Sequence, residues 1–249
     1  MESNKKIYFV SDLHLGAPAL TDNTKRERLF TAWLSEVSHD AAAIFLMGDI
    51  FDFWFEYRKV VPRGYTRVLG KIAEITDRGI PVHFFTGNHD IWIFDYLPTE
   101  TGVIVHRDFF STELLGKKFY LAHGDGLDKN DKGYLILKKI FKSPFWQWFF
   151  ARFHPNFAVS VALRWSKTSR LNKKTGSSRF DAENEGMYQF ALSILEKEHF
   201  DYFVFGHRHL LANIQMSETS RFILLGEWIK TFSYGVFDSE KFELKKYIP

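Results

Sequence analysis

Tyr8-Phe9-Val10-Ser11-Asp12-Leu13-His14 is the stretch whose reading decides the fold. A short aromatic and β-branched run ends in Asp-x-His, the pattern of a buried strand that delivers polar side chains at its carboxyl end. In an extended chain residues i and i+2 point to one side, so Asp12 and His14 can face one point in space. Together they offer a hard oxygen and an imidazole nitrogen. Asp-x-His alone recurs by chance. Its weight here comes from four later stretches that also end in polar residues after apolar runs.

Outward from this strand, helical spacing over 24–37 (Leu29, Phe30, Trp33, Leu34, Val37) precedes the apolar run Ala43-Ile44-Phe45-Leu46-Met47. That run ends in Gly48-Asp49-Ile50-Phe51-Asp52. Residues 63–78 are helical again, with Val68, Leu69, Ile72 and Ile75 on one face and Gly79 as stop signal. Val82-His83-Phe84-Phe85-Thr86 then ends in Gly87-Asn88-His89-Asp90. Short apolar strands separated by helices predict βαβ units with parallel strands, whose carboxyl ends hold the site in open α/β sheets. Further on, 109–115 and 118–122 predict a hairpin across Gly116-Lys117 that ends at His123-Gly124-Asp125. Tyr202-Phe203-Val204-Phe205 leads into Gly206-His207-Arg208-His209, and three strand-like runs (212–216, 221–225, 231–237) close the chain. There is no internal repeat.

Composition narrows the chemistry. The 249 residues, 45% hydrophobic and 25% charged, are globular in character and suffice for a large α/β domain. With no cysteine, a disulfide framework and a thiolate metal site are both excluded. Any metal is held by His, Asp, Asn or Glu, which favours Mn, Mg, Fe or Zn in a nitrogen–oxygen site. The first residues run straight into the first strand without a signal-peptide pattern, so a cytoplasmic protein is expected. The longest apolar region, 145–165, is interrupted by Gln147, Arg152, His154, Pro155 and Asn156 and is not expected to span a membrane.

The clearest anomaly is one of charge. Between Lys132 and Phe180 the sequence has no Asp or Glu but eleven Lys and Arg and eleven aromatics, including Phe145, Trp146, Trp148, Phe149 and Phe150. The whole chain is +3, so eleven positive charges here leave a net −8 elsewhere. Helical spacing runs through much of this segment, broken at Pro144 and Pro155. An ordinary amphipathic helix pair with a private aromatic core is one reading. A solvated helix face usually mixes charge signs, however. A basic aromatic surface suits a pyrophosphate with acyl chains, or an anionic bilayer.

Collected, the strand-end motifs are Asp12-x-His14, Gly48-Asp49-x-x-Asp52, Gly87-Asn88-His89-Asp90, His123-Gly124-Asp125 and Gly206-His207-x-His209. They supply enough ligands for two adjacent divalent ions with one bridging carboxylate, an arrangement that clamps a phosphoryl group and acidifies water. Asn88 suits such a site, because its amide oxygen adds a ligand without negative charge.

All five motifs, in this order, closely resemble the calcineurin-like metallophosphoesterase superfamily. Within it the chain is similar to the bacterial UDP-2,3-diacylglucosamine hydrolases of lipid A synthesis, a family resemblance that includes Trp54, Asp131-Lys132-Gly133-Tyr134 and Leu225-Gly226-Glu227-Trp228. It implies a four-layer α/β/β/α sandwich over residues 1–249, with a helical lid inserted at 127–185. It implies Asp12, His14, Asp49 and His209 on one metal, and Asp49, Asn88, His123 and His207 on the other, with Mn²⁺ preferred. The expected catalytic set is His89 with Asp49 and Asn88. His89 adjoins a ligand without being needed as one, which makes it the candidate for stabilising the transition state or protonating the leaving oxygen. The best-known branch of the family has Arg at this position, and an imidazole can donate a proton where a guanidinium only stabilises charge.

The expected substrate contacts are Asn88, His89, Trp54, Asp131, Tyr134 and His207, with Ser166, Arg170 and Lys173 chosen from the basic segment by position. Asp52, Asp90 and Asp125 read equally well as partners that orient the ligands or as local caps. The substrate is then a nucleotide-activated glycolipid, met at an anionic inner-membrane surface by a peripheral protein, with no nucleic acid expected. The rival readings are a nucleotide phosphodiesterase, a protein phosphatase, a nuclease with basic residues interleaved among aromatics, and a non-catalytic scaffold.

Overall fold

The computed structural model describes residues 5–128, 131–172, 180–183 and 185–248, with backbone alone at 169–172. In chain order, β1 (Lys6–Val10), α1 (Asn23–Val37), β2 (Ala41–Leu46), α2 (Thr66–Asp77), β3 (Val82–Phe85), α3 (Tyr96–Thr101) and β4 (Ile104–His106) come first. A hairpin of β5 (Phe110–Leu114) and β6 (Lys117–Ala122) precedes α4 (Lys132–Lys142), α5 (Pro144–Phe150) and α6 (Pro155–Asn172). Then follow α7 (Gly186–Leu195), β7 (Tyr202–Phe205), β8 (Leu211–Gln215), β9 (Arg221–Leu225), β10 (Ser233–Phe237) and β11 (Phe242–Lys246).

The strands form two mixed sheets, ordered β11-β10-β1-β2-β3-β4 and β5-β6-β7-β9-β8. β1 through β4 run parallel, as do β6, β7 and β9, while the outer strands add antiparallel pairs. Strand alternation divides the side chains of β1 between two cores. Ile7 and Phe9 point into an inter-sheet layer with Phe45, Met47, Phe119, Leu121, Val204, Ile223 and Phe237. Tyr8 and Val10 point the other way, onto Phe30, Trp33 and Leu34 of α1 and Val68, Ile72 and Ile75 of α2. On the far side, Met187 and Ala191 of α7 cover Tyr120, Phe203, Phe205 and Phe222 of the second sheet. The result is the expected α/β/β/α sandwich. Burial on both faces explains why the central strands read as continuous apolar runs rather than alternating ones.

Pro144 and Pro155 break the basic segment as expected, and each stands first in a helix, where the missing N–H costs nothing. α4 through α6 meet the sandwich at a fourth cluster, in which Phe53, Phe55 and Trp92 touch Phe141, Phe150, Val159, Ala162 and Leu163. Outside this contact Phe145, Trp148, Phe157 and Trp165 are each more than half exposed. Among the described residues no helix is long and apolar enough to cross a membrane.

Candidate metal centre

Each expected ligand follows the carboxyl end of a strand that has a parallel neighbour. Asp12 and His14 follow β1, Asp49 follows β2, Asn88 and His89 follow β3, His123 follows β6, and His207 and His209 follow β7. The parallel pairing continues past the strands. Met47 N–H donates to Val10 O (2.7 Å), Asp12 N–H to Gly48 O (3.1 Å) and His14 N–H to Asp49 O (2.9 Å). These bonds bring the first two motifs side by side.

The backbone there is strained. Asp12, His14, Asp49, His207 and His209 all have φ between 47° and 64°, the left-handed region that Asp and His enter only at a cost. Two motif glycines leave room for side chains to approach. A Cβ at Gly87 would lie 2.2 Å from Asp49 Oδ1, and one at Gly206 would lie 2.8 Å from Asp12 Oδ2.

Both carboxylates are anchored by one oxygen and aimed with the other. Asp12 Oδ2 accepts from His207 N–H at 2.8 Å, and Asp49 Oδ1 accepts from His89 N–H at 2.9 Å. Asp12 Oδ1 then stands 3.1 Å from His209 Nε2 and 3.7 Å from His14 Nε2. Asp49 Oδ2 stands 3.7 Å from His14 Nε2 and 3.5 Å from His123 Nε2, so a single oxygen faces both halves of the cage. Two groups of converging ligand atoms share this centre, Asp12–His14–His209 and Asp49–His123–His207, and a third group, His14–Asp49–His89, overlaps them.

Ring tautomers are set by acceptors that cannot donate. Met47 O lies 2.8 Å from His123 Nδ1, so Nδ1 carries a hydrogen and Nε2 faces the Asp49 carboxylate. Asp52 O fixes His89 the same way at 2.8 Å, which leaves His89 Nε2 toward the cavity. Asp12 Oδ1, Asn88 Oδ1 and His123 Nε2 are buried without a hydrogen-bond partner. Acceptor atoms gathered together and left unsatisfied suit a cation.

The electrostatics agree. Burial opposes charge on Asp12 and Asp49, yet the imidazoles around them hold both carboxyls well below the usual carboxylate range. Burial also opposes charge on His123, but Asp49, Asp12 and Asp125 outweigh it and raise the imidazole to about 10. Burial lowers His207 to about 4 and also lowers His89. The cage is therefore strongly anionic at Asp12 and Asp49.

The three carboxylates of uncertain role in the sequence all meet the ligand loops. Asp90, fully buried, accepts from the N–H groups of Gly87 (2.7 Å), Ile50 (2.8 Å), Asp49 and Phe51 (both 3.3 Å), tying the Asp49 and Asn88 loops together. Burial and neighbouring Asp49 push its carboxyl up to about 7. Asp52 Oδ1 lies 3.4 Å from His14 Nδ1 and 3.7 Å from His89 Nδ1. Asp125 accepts from Tyr134 Oη and pairs with Lys138 Nζ, both at 2.6 Å.

Several expected substrate contacts are engaged by other groups of the protein. Trp54 is fully buried, stacked on Phe51 at 4.4 Å with Nε1 donating to Glu56, so it is a core residue and not a contact surface. Asp131 caps α4 by accepting from Tyr134 N–H at 3.0 Å. The Ser166 hydroxyl is turned to Asp52 Oδ2 at 2.8 Å. Tyr134 stands near the cage, its ring 6.3 Å from that of His207. The Arg170 side chain and Lys173 lie outside the described residues.

Two other positioning carboxylates had no sequence signal beyond being acidic. Glu56 accepts from the N–H groups of Phe94, Asp95, Tyr96 and Leu97, which caps α3. Glu185, buried, holds Arg208 Nε at 2.8 Å between the two histidines His207 and His209.

Comparison with known proteins agrees with this geometry. The model of the calcineurin-like phosphoesterase family matches residues 5–211. A UDP-2,3-diacylglucosamine hydrolase of Porphyromonas gingivalis is 43% identical, with 94% of each chain covered. Proteins of the same name from Actinobacillus succinogenes (28%; 92% of this chain, 94% of that one) and Shewanella halifaxensis (26%; 95% of each) are also similar. The chain belongs to the calcineurin-like phosphoesterase family, and it is a metal-dependent hydrolase.

Proposed function

We propose that the protein hydrolyses the pyrophosphate of UDP-2,3-diacylglucosamine to UMP and 2,3-diacylglucosamine 1-phosphate, a step of lipid A biosynthesis. The observation that carries this reading is the position of Asp49 Oδ2, 3.7 Å from His14 Nε2 and 3.5 Å from His123 Nε2. One oxygen serves two ligand sets, as two-ion phosphoryl chemistry requires. We assign Asp12, His14, Asp49 and His209 to one divalent ion and Asp49, Asn88, His123 and His207 to the other, with Mn²⁺ as the ion. Bound there, such a pair supplies neutralisation of phosphoryl charge and acidification of water.

The chain's own residues then divide the work. Asp90 and the Gly87 turn hold Asp49 and Asn88 in register. Asp52 keeps the His14 ring aimed at the cage through Nδ1, at 3.4 Å. His89 is neutral at pH 7, because burial lowers its pKa, and its Nδ1–H is held by Asp52 O. When an anionic pyrophosphate arrives, its charge favours a proton from solvent on His89 Nε2, which His89 passes to the departing sugar-phosphate oxygen as the P–O bond breaks. We keep Asn88, Tyr134 and His207 as contacts to nucleotide, phosphate or sugar.

The glycolipid assignment is supported by the names of the relatives and by the character of α4–α6. We assign these helices to a lid inserted over 127–185. Its outward aromatics, with Arg152 stacked over Trp148 at 4.6 Å, suit the acyl chains of the substrate and the headgroup level of an anionic membrane. The protein then works at the cytoplasmic face of the inner membrane.

The test is turnover of UDP-2,3-diacylglucosamine in mixed micelles with Mn²⁺, followed as UMP release, in water enriched in ¹⁸O. Label in UMP and not in the sugar phosphate marks attack on the uridine-side phosphorus. Hydrolysis of bis(p-nitrophenyl) phosphate or single-stranded DNA at equal kcat/KM would overturn the substrate assignment in favour of a general phosphodiesterase or a nuclease.

A further inference from the structure

The inner face of α6 changes character along its length. Val159, Ala162 and Leu163 rest against the cluster of Phe53, Phe55 and Trp92, and Ser166 continues the same stripe at helical spacing. Phe157, Val161 and Trp165 lie exposed on the other side. Ser166 is 8% exposed, and its hydroxyl donates to Asp52 Oδ2 at 2.8 Å across 114 positions of sequence. The other oxygen of Asp52 is the one 3.4 Å from His14 Nδ1 and 3.7 Å from His89 Nδ1. A hydroxyl in an otherwise apolar stripe is unfavourable unless it is bonded, and an alanine would fill the space as well.

We infer that Ser166 is a positioning residue which couples the docking of α6 to the metal site that contains His14. This rests on the metal-centre reading above. With α6 seated, Asp52 is held from both sides: the hydroxyl fixes Oδ2, which leaves Oδ1 toward the His14 ring. With α6 lifted, Oδ2 loses that donor, and the orientation of the His14 ring is less defined. Coupling of this kind is reciprocal. If α6 docking tightens metal binding, metal binding tightens α6 docking by the same factor.

The test uses the full chain stripped of metal with chelator and titrated with Co²⁺, whose visible absorption reports the ligand set directly. Removing a partner that orients a metal-ligating histidine weakens metal about 10- to 100-fold. Ser166 acts one bond further out, so Ser166→Ala is expected to weaken the first Co²⁺ site about three- to tenfold. Ser166→Thr, which keeps the hydroxyl, restores most of it. Ser160→Ala, an exposed hydroxyl on the same helix bonded only to Asn156 O, leaves Co²⁺ binding unchanged.

Hydrogen exchange gives a second readout that needs no variant. Amides of α6 in the wild-type chain should exchange more slowly with Co²⁺ than without, by a factor matching the affinity loss. With bis(p-nitrophenyl) phosphate, Ser166→Ala lowers kcat at unchanged KM once Co²⁺ is subsaturating. Wild-type Co²⁺ affinity in Ser166→Ala, or α6 exchange indifferent to metal in the wild type, overturns the coupling while leaving the metal centre standing. A wild-type chain that takes up no Co²⁺ overturns the metal centre itself.

Discussion

Asp49→Asn removes one charge and little else. Asparagine tolerates the left-handed backbone at this position, φ 53°, and its carbonyl oxygen can still accept from His89 N–H, 2.9 Å away in the parent. What disappears is the anionic oxygen 3.7 Å from His14 Nε2 and 3.5 Å from His123 Nε2, the one atom shared by both ligand sets. Loss of a single electrostatic stabiliser of phosphoryl or oxyanion charge costs about 10²–10³ in rate. Two sites failing together give about 10⁴–10⁶, or roughly 5–8 kcal/mol at 1.36 kcal/mol per tenfold. The metal-free variant should be less stable than the parent, since the imidazoles of His123, His89 and His14 favour a charged carboxylate at this position and lose it.

The assay pairs turnover with thermal unfolding. Saturating Mn²⁺ at about 100 times its Kd stabilises a binding-competent chain by about 2.7 kcal/mol, which raises Tm by several degrees. That rise should be absent in Asp49→Asn, each chain being compared with its own metal-free Tm. A variant with more than about a tenth of parental kcat and an intact Mn²⁺-dependent rise in Tm would refute the shared-ligand argument.

Three other expectations follow from separate parts of the molecule. His89→Ala should keep the Mn²⁺-dependent rise in Tm but lose about 10²–10⁴ in kcat on the lipid nucleotide, with a smaller loss on a diester whose leaving group needs no proton. His83 stacks on Phe45 at 4.4 Å and shares a 2.9 Å contact with His106, and burial, aided by His106, lowers it to about 4. The unfolded chain therefore binds a proton below its ordinary pKa of 6.5 that the folded chain refuses, so stability falls as pH drops from 6.5 through about 4. In His83→Phe the difference between urea midpoints at pH 7.5 and 4.5 should be smaller than in the parent. Replacing Phe145, Trp148 and Phe157 by Ser should weaken sedimentation with anionic vesicles and lower kcat/KM on the lipid nucleotide, while bis(p-nitrophenyl) phosphate turnover stays near parental.

Most of the sandwich was legible, because its central strands are buried on both faces and read as unbroken apolar runs. The short edge elements were not. β4 has only the residues Ile104–His106, β11 is largely polar after Phe242, and α3 is a single short helix containing Pro98. Their pairing is decided by neighbours distant in sequence, not by local pattern. The ligands were legible for a different reason: strand ends are where backbone geometry lets Asp, Asn and His converge, and the motifs state the residue types directly.

The contacts of Trp54, Asp131 and Ser166 were not legible: residue type does not say which close neighbour Trp54 and Asp131 engage, and the partner of Ser166 is distant in sequence. Trp54 faces Phe51 and Glu56, and Ser166 meets Asp52 from a helix 114 positions away. Asp131 caps a helix whose first turn it precedes, accepting from Tyr134 N–H. Similarity pointed to Trp54 and Asp131, and position in the basic segment to Ser166, without showing what they touch.

The claim on which the rest depends is that one oxygen of Asp49 joins two cations. Anomalous diffraction from Mn²⁺-soaked crystals, measured on both sides of the Mn absorption edge, tests it most directly. The account predicts two peaks about 3.5–4 Å apart, one among Asp12, His14 and His209 and one among Asn88, His123 and His207, with Asp49 Oδ2 between them. A single peak, or two peaks that do not share Asp49, would contradict it.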